Sequence, residues 1–142
     1  LQLCLPWKVH KEVKGSKKDL EDRGFNIETF CYPYGRRNWF VDKIVANSGF
    51  LGARLAHGEY NTQQTDRFHL EAKMLRNFTT FEEVKGWIDS TDNRWLVLVF
   101  HQIEPNPGGW GTEPELFEKI CAYIKEKNLE VVTVSEGLKK II

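Results

Sequence analysis

Residues 95–103 read Trp-Leu-Val-Leu-Val-Phe-His-Gln-Ile. The six residues from Trp95 to Phe100 are apolar without alternation, the pattern of a strand buried on both faces in a parallel sheet covered by helices. His101 stands where that strand stops. In α/β folds the chemistry collects at the carboxyl ends of parallel strands, where loops vary on a rigid base. An imidazole there can carry or release a proton near neutral pH. The alternative is a core histidine capped by a backbone carbonyl; the position at a strand exit favours function.

The flanking sequence repeats one grammar: helix, left-handed cap, hydrophobic residue, strand. An amphipathic helix is predicted over 8–23, with Val9, Val13 and Leu20 on one face, closed by Gly24 and Phe25. A strand over 26–32 ends at Pro33-Tyr34-Gly35. Asn38 caps a helix over 39–48 with Val41, Ile44 and Val45 inward, and Gly49-Phe50 repeats the junction into a strand over 50–53 that ends at Arg54. Residues 55–66 read as loop and 68–75 as a weak strand. Thr80 and Glu83 form a capping box for a helix over 81–89. After the 95–100 strand and a Pro/Gly-rich loop over 104–111, Thr112 and Glu115 form a second capping box. That helix runs to Lys127 and buries Leu116, Phe117, Ile120, Cys121 and Ile124, with Asn128 as its cap. A strand over 130–134 and a short helix capped by Ser135 end the chain. Strands alternating with helices call for parallel pairing and right-handed crossovers, an α/β fold. The strand exits then share one face, predicted to carry Tyr34, Arg54, His101 and Ser135. A helix with no strand before it points to sequence preceding Leu1.

With 142 residues, 20 basic and 20 acidic side chains, and 41% hydrophobic composition, the chain suits one domain with a real core. The charge balance gives no nucleic-acid footprint or polybasic membrane patch. No apolar run is long enough to span a bilayer. Cys4, Cys31 and Cys121 show no metal-ligand spacing. Asn77-Phe78-Thr79 is a glycosylation sequon. Trp87, Trp95, Tyr32 and Trp39 read as core, and His57 and His69 as surface or loop. Trp110, in the Gly-Gly-Trp-Gly loop, either stacks on a sugar or pins the loop. Glu104 lacks the second carboxylate a glycosidase needs.

Three stretches resemble the carboxyl-terminal part of the NodB-type polysaccharide deacetylases, carbohydrate esterase family 4. They are Phe-Cys-Tyr-Pro-Tyr-Gly at 30–35, the 97–103 segment with Leu-Val-Phe-His-Gln-Ile in its strand, and Val-Val-Thr-Val-Ser-Glu-Gly-Leu at 131–138. Gly-Phe-Leu-Gly-Ala-Arg at 49–54 is similar to one branch of the family. The resemblance implies part of a distorted (β/α) barrel and metal-assisted hydrolysis of N-acetyl or O-acetyl groups on a polysaccharide or oligosaccharide, in an extracytoplasmic or cell-envelope setting. A divalent metal, zinc in many members, polarises the carbonyl and activates a water. On the matching positions, His101 is the acid that protonates the leaving amine. Val99 shapes the pocket for the acetyl methyl. The Tyr34 N–H helps hold the oxyanion, in a turn set by Pro33.

The departures are equally specific. The family's metal and base motifs have no counterpart in these residues; the resemblance puts them upstream of Leu1 and leaves this stretch alone without activity or a catalytic metal. Cys31 stands where the family carries an Arg, for which Arg54 is the candidate substitute. Asp66 is the candidate for the carboxylate that raises the basicity of the acid histidine. Two other readings remain: a non-catalytic glycan- or partner-binding domain of the same fold, and a fragment of a glycoside-hydrolase barrel.

Overall fold

The computed structural model describes residues 1 and 3–141. Its strands are short and parallel. β1 (Thr29–Cys31) pairs with β2 (Gly52–Arg54) in the register Thr29↔Gly52, Phe30↔Ala53 and Cys31↔Arg54. A parallel bridge joins Arg54 to Leu70, three residues before β3 (Lys73–Met74) along the same segment, and β3 pairs with β4 (Leu98–Val99). All four strands therefore point the same way, and the architecture is α/β with short parallel strand pairs.

The helices are α1 (Pro6–Glu21), α2 (Trp39–Ala46), α3 (Phe81–Asp89), α4 (Pro114–Glu126) and α5 (Val134–Ile141). None among the described residues is long and apolar enough to cross a membrane. The caps follow local chemistry. Gly24 (φ 88°) and Gly49 (φ 75°) take the left-handed positions after α1 and α2, and Asn128 (φ 53°) does so after α4. Asn38 accepts the Val41 N–H, and Thr80 with Glu83 makes the capping box of α3.

The 95–100 run is covered on both faces but fully buried on one only: Val97 and Val99 are buried, while Leu96, Leu98 and Phe100 are partly buried and line a groove. Leu96, Leu98 and Phe100 pack on Val84, Ile88 and Ile120 of α3 and α4. Val97 and Val99 lie on the other face with Ala72, Met74 and Trp95. A second core, Val9, Val13, Tyr32, Val41, Val45, Phe50 and Ala53, joins α1 and α2 to β1 and β2. Between the cores, fully buried Asn61 donates to the Glu71 carbonyl and accepts the Glu71 N–H, while its backbone exchanges both hydrogen bonds with Trp95.

Several expectations are corrected. Residues 130–134 form no strand. Thr133, not Ser135, caps α5, in a capping box where Thr133 Oγ1 accepts the Glu136 N–H and Glu136 accepts the Thr133 N–H. This local box wins over the β propensity of Val131 and Val132. α5 then crosses the amino ends of the strands, with Leu138 against Gly52, Gly137 against Trp95 and Lys139 paired to Glu28. Ser135 thus lies at the end opposite the strand exits. Thr112 does not cap α4 either: it bridges Ile103, with its N–H on the Gln102 carbonyl, and Glu113 is the N-cap without a side-chain bond. Cys121 is exposed, and Tyr123 takes the inward position two residues on. Trp39 is 71% exposed with Lys43 over its ring, leaving the interior to Tyr32. Leu20 is also largely exposed, and Trp87 and Trp95 are only partly buried.

Candidate functional site

Side chains alternate along a strand, so His101 falls on the Val97 and Val99 face just past β4. It is exposed, and its ring meets Trp110 edge-on with centroids 5.7 Å apart. The loop that brings Trp110 back is closed at its base by the Ile103–Thr112 bridge. Its tip is tightened by the Gly111 N–H on the Gly108 carbonyl (2.9 Å) and the Asn106 N–H on Glu113 (2.9 Å). Gly111 is required there, because a Cβ would stand 2.4 Å from Pro107. On the Trp110 ring lies the guanidinium of Arg76, 3.8 Å from the centroid. Arg76 sits two residues past β3, at a strand exit, which was the available sequence signal for it.

The Pro33-Tyr34-Gly35 turn follows β1, at the carboxyl end of its own strand pair. It is a single 3₁₀ turn closed by the Gly35 N–H on the Tyr32 carbonyl and the Arg36 N–H on the Pro33 carbonyl. Tyr34 holds φ 57°, a left-handed conformation costly for a residue with a Cβ, and its side chain is 89% exposed. Among the described residues its N–H has no acceptor. Gly35 (φ 66°) abuts the His57 ring at about 3.0 Å from where a Cβ would be, so His57 belongs to this turn. Arg54 is the register partner of Cys31, and its guanidinium donates to the Leu55 carbonyl at 3.1 Å.

Asp66 takes a different partner from the one expected. Its carboxylate is 2.8 Å from His69 Nδ1, and the other edge of that ring, Nε2, is 3.4 Å from Asp42. Asp42 is also held by Arg37. Tyr32 stacks on His69, and burial, with Asp42 nearby, raises its phenol pKa. The carboxylate intended for His101 is thus engaged by His69, in a loop closed by the Phe68 N–H on Asp66. Asp66 and Asp42 sit on opposite ring nitrogens and cannot share one ion through His69. Among the described residues no three His, Cys, Asp or Glu side chains are grouped to hold a metal, so none is assigned to one.

A well-formed cavity lies away from His101. It is an apolar groove of about 840 Å³ between the flank of β4, α4 and residues 128–134, lined by Leu96, Leu98, Phe100, Phe117, Ile120 and Val132 among others. Arg94, Lys125, Asn128 and Glu130 also line it, and none of them is a residue that the sequence singled out for chemistry. His101, Trp110 and Arg76 instead form an open constellation at the strand exits, able to exchange a proton, stack a ring and attract an anion. Set beside protein-family models, characterised proteins and solved structures, the chain gives no match.

Proposed function

We propose that this chain is the acid-bearing portion of a metal-dependent deacetylase acting on acetylated polysaccharide. The observation that carries the reading is the shared exit of His101 and the Tyr34 turn from parallel strands, with the Tyr34 N–H left without an acceptor. In this reading Tyr34 N–H receives the developing oxyanion in a conformation that Pro33 and Gly35 fix in advance. His101, on the rigid Val97–Val99 face, protonates the departing amine, which leaves poorly as an anion. Val99 backs the acetyl methyl. Arg54, beside Cys31 in the register, supplies the positive charge that the resemblance puts at that position. The reading calls for a divalent metal, which would supply Lewis-acid activation of the acetyl carbonyl; none of the described residues is assigned to hold it.

The test uses the protein expressed from its complete gene and an N-acetylglucosamine oligomer, with released acetate and bound metal both measured. His101→Ala should lower turnover by roughly a hundred- to ten-thousand-fold at unchanged metal content. His101→Gln should behave alike. Near-normal acetate release from His101→Ala would remove the assignment, and loss of metal would recast His101 as a ligand.

A further inference from the structure

Arg76 has an unusual set of neighbours for a half-buried arginine. Its backbone is pinned by Thr79, whose Oγ1 accepts the Arg76 N–H at 3.0 Å and whose N–H reaches the Arg76 carbonyl at 3.0 Å. Its guanidinium carbon stands over the Trp110 ring, 3.8 Å from the centroid. Among the described residues it meets no carboxylate and donates to no protein acceptor. Stacking uses the face of the guanidinium and leaves its coplanar N–H groups pointing outward along the edge, the arrangement that grips a planar, two-oxygen anion. The same indole touches His101, and half of Trp110 (49%) stays exposed. With formal net charge zero, the chain offers no general attraction to anions, so the pull is local.

We propose that Arg76 and Trp110 form a subsite for a carboxylate-bearing sugar, a hexuronic acid residue of the glycan, next to the sugar presented to His101. The exposed part of the indole takes the ring and Arg76 takes the carboxylate. This rests on reading the strand-exit face as a glycan cleft.

The probes are a tetrasaccharide alternating N-acetylglucosamine and glucuronic acid, and its carboxyl-reduced counterpart, titrated calorimetrically into the protein expressed from its complete gene. The acidic probe should bind roughly three- to tenfold more tightly, a preference that shrinks as salt is raised. In Arg76→Gln, checked for folding by its thermal midpoint, the ratio of the two affinities should collapse to near one; Arg76→Lys should keep only part of it. A ratio near one in the unsubstituted protein, or one that survives Arg76→Gln, would overturn the subsite. So would full displacement of the acidic probe by equimolar inorganic phosphate, which would make this a free-phosphate site. A complete gene product that releases no acetate while the preference holds would remove the deacetylase reading and leave the subsite standing.

Discussion

Gly52 and Gly86 are the same residue in opposite circumstances. A Cβ on Gly52 would stand 2.4 Å from the Arg67 carbonyl oxygen and 2.8 Å from Leu138, while one on Gly86, in α3, meets nothing within 4 Å. Backbone cannot yield as a side-chain tip can, so Gly52→Ala should cost about 1–3 kcal/mol of stability. Gly86→Ala should gain about 0.5–1 kcal/mol by lowering the entropy of the unfolded chain and improving helix propensity. Urea midpoints of the two variants would check both signs; a neutral Gly52→Ala would mean the segment from Arg67 to Leu70 is free to retreat. No local pattern in the sequence separates these two glycines, since the atoms that fill the space beside Gly52 come from distant parts of the chain. Tyr34 is similar: Pro-Tyr-Gly marks a turn, but the positive φ at Tyr34 and the contact of Gly35 with His57 depend on how the next strand returns. That is why His57 reads as plain loop in the sequence and stands against the turn in the fold.

Helix α3 was legible in full, because its box, its apolar face and its bounds are all local to residues 80–89. The two threonine boxes at 80 and 112 look alike on paper and should respond differently. Thr80→Ala removes the acceptor for the Glu83 N–H and should cost about 1 kcal/mol. Thr112 spends its backbone on Gln102 and Glu104, and its buried hydroxyl has no partner, so Thr112→Val should be neutral or stabilising in the same denaturation assay. Four strands were legible in position but not in length, and the one expected over 130–134 is absent: parallel pairing needs a neighbour, and β4 has β3 on one side and an open groove on the other. Cys121 is exposed where burial was expected, and Tyr123 turns inward, its hydroxyl donating to Asp89 across the helix pair at 2.6 Å. Asp89 also takes Lys127 at 2.8 Å and Lys85 at 3.1 Å. These bonds, Lys127 first, then Tyr123 and Lys85, hold its carboxyl well below the ordinary value of 3.8. Folding therefore disfavours the proton on Asp89. Its contribution is full above the ordinary value and is lost as pH falls toward the lower folded value. In Asp89→Asn the acid limb of a stability–pH profile should be shallower than in the unsubstituted protein; parallel limbs would show that the network does not titrate with folding.

Among the described residues there are three buried clusters, one under β1 and β2, one between β4, α3 and α4, and a small one around Val97 and Val99; α5 reaches from Gly52, beside the first, to Trp95, which packs on the third. Leu138, 1% exposed, fits over Gly52, while Gly137 admits the Trp95 ring so closely that a Cβ would lie 2.5 Å from it. Lys139 adds an ion pair to Glu28, at the foot of β1. That surface pair contributes little by itself, so the coupling rests on Leu138. Leu138→Ala should cost about 2–5 kcal/mol, the range for emptying a buried leucine site that closes only partly. Val131, 76% exposed, is the control: Val131→Thr should shift stability by no more than about 0.5 kcal/mol. Hydrogen exchange distinguishes a local defect from lost coupling. If α5 links the cores, Leu138→Ala should speed exchange at Val45 in α2 and at Val84 in α3 together, though neither touches residue 138 within its own cluster. Faster exchange confined to residues 134–141, with both helices protected as before, would show that α5 rests on the strand ends without joining the two halves.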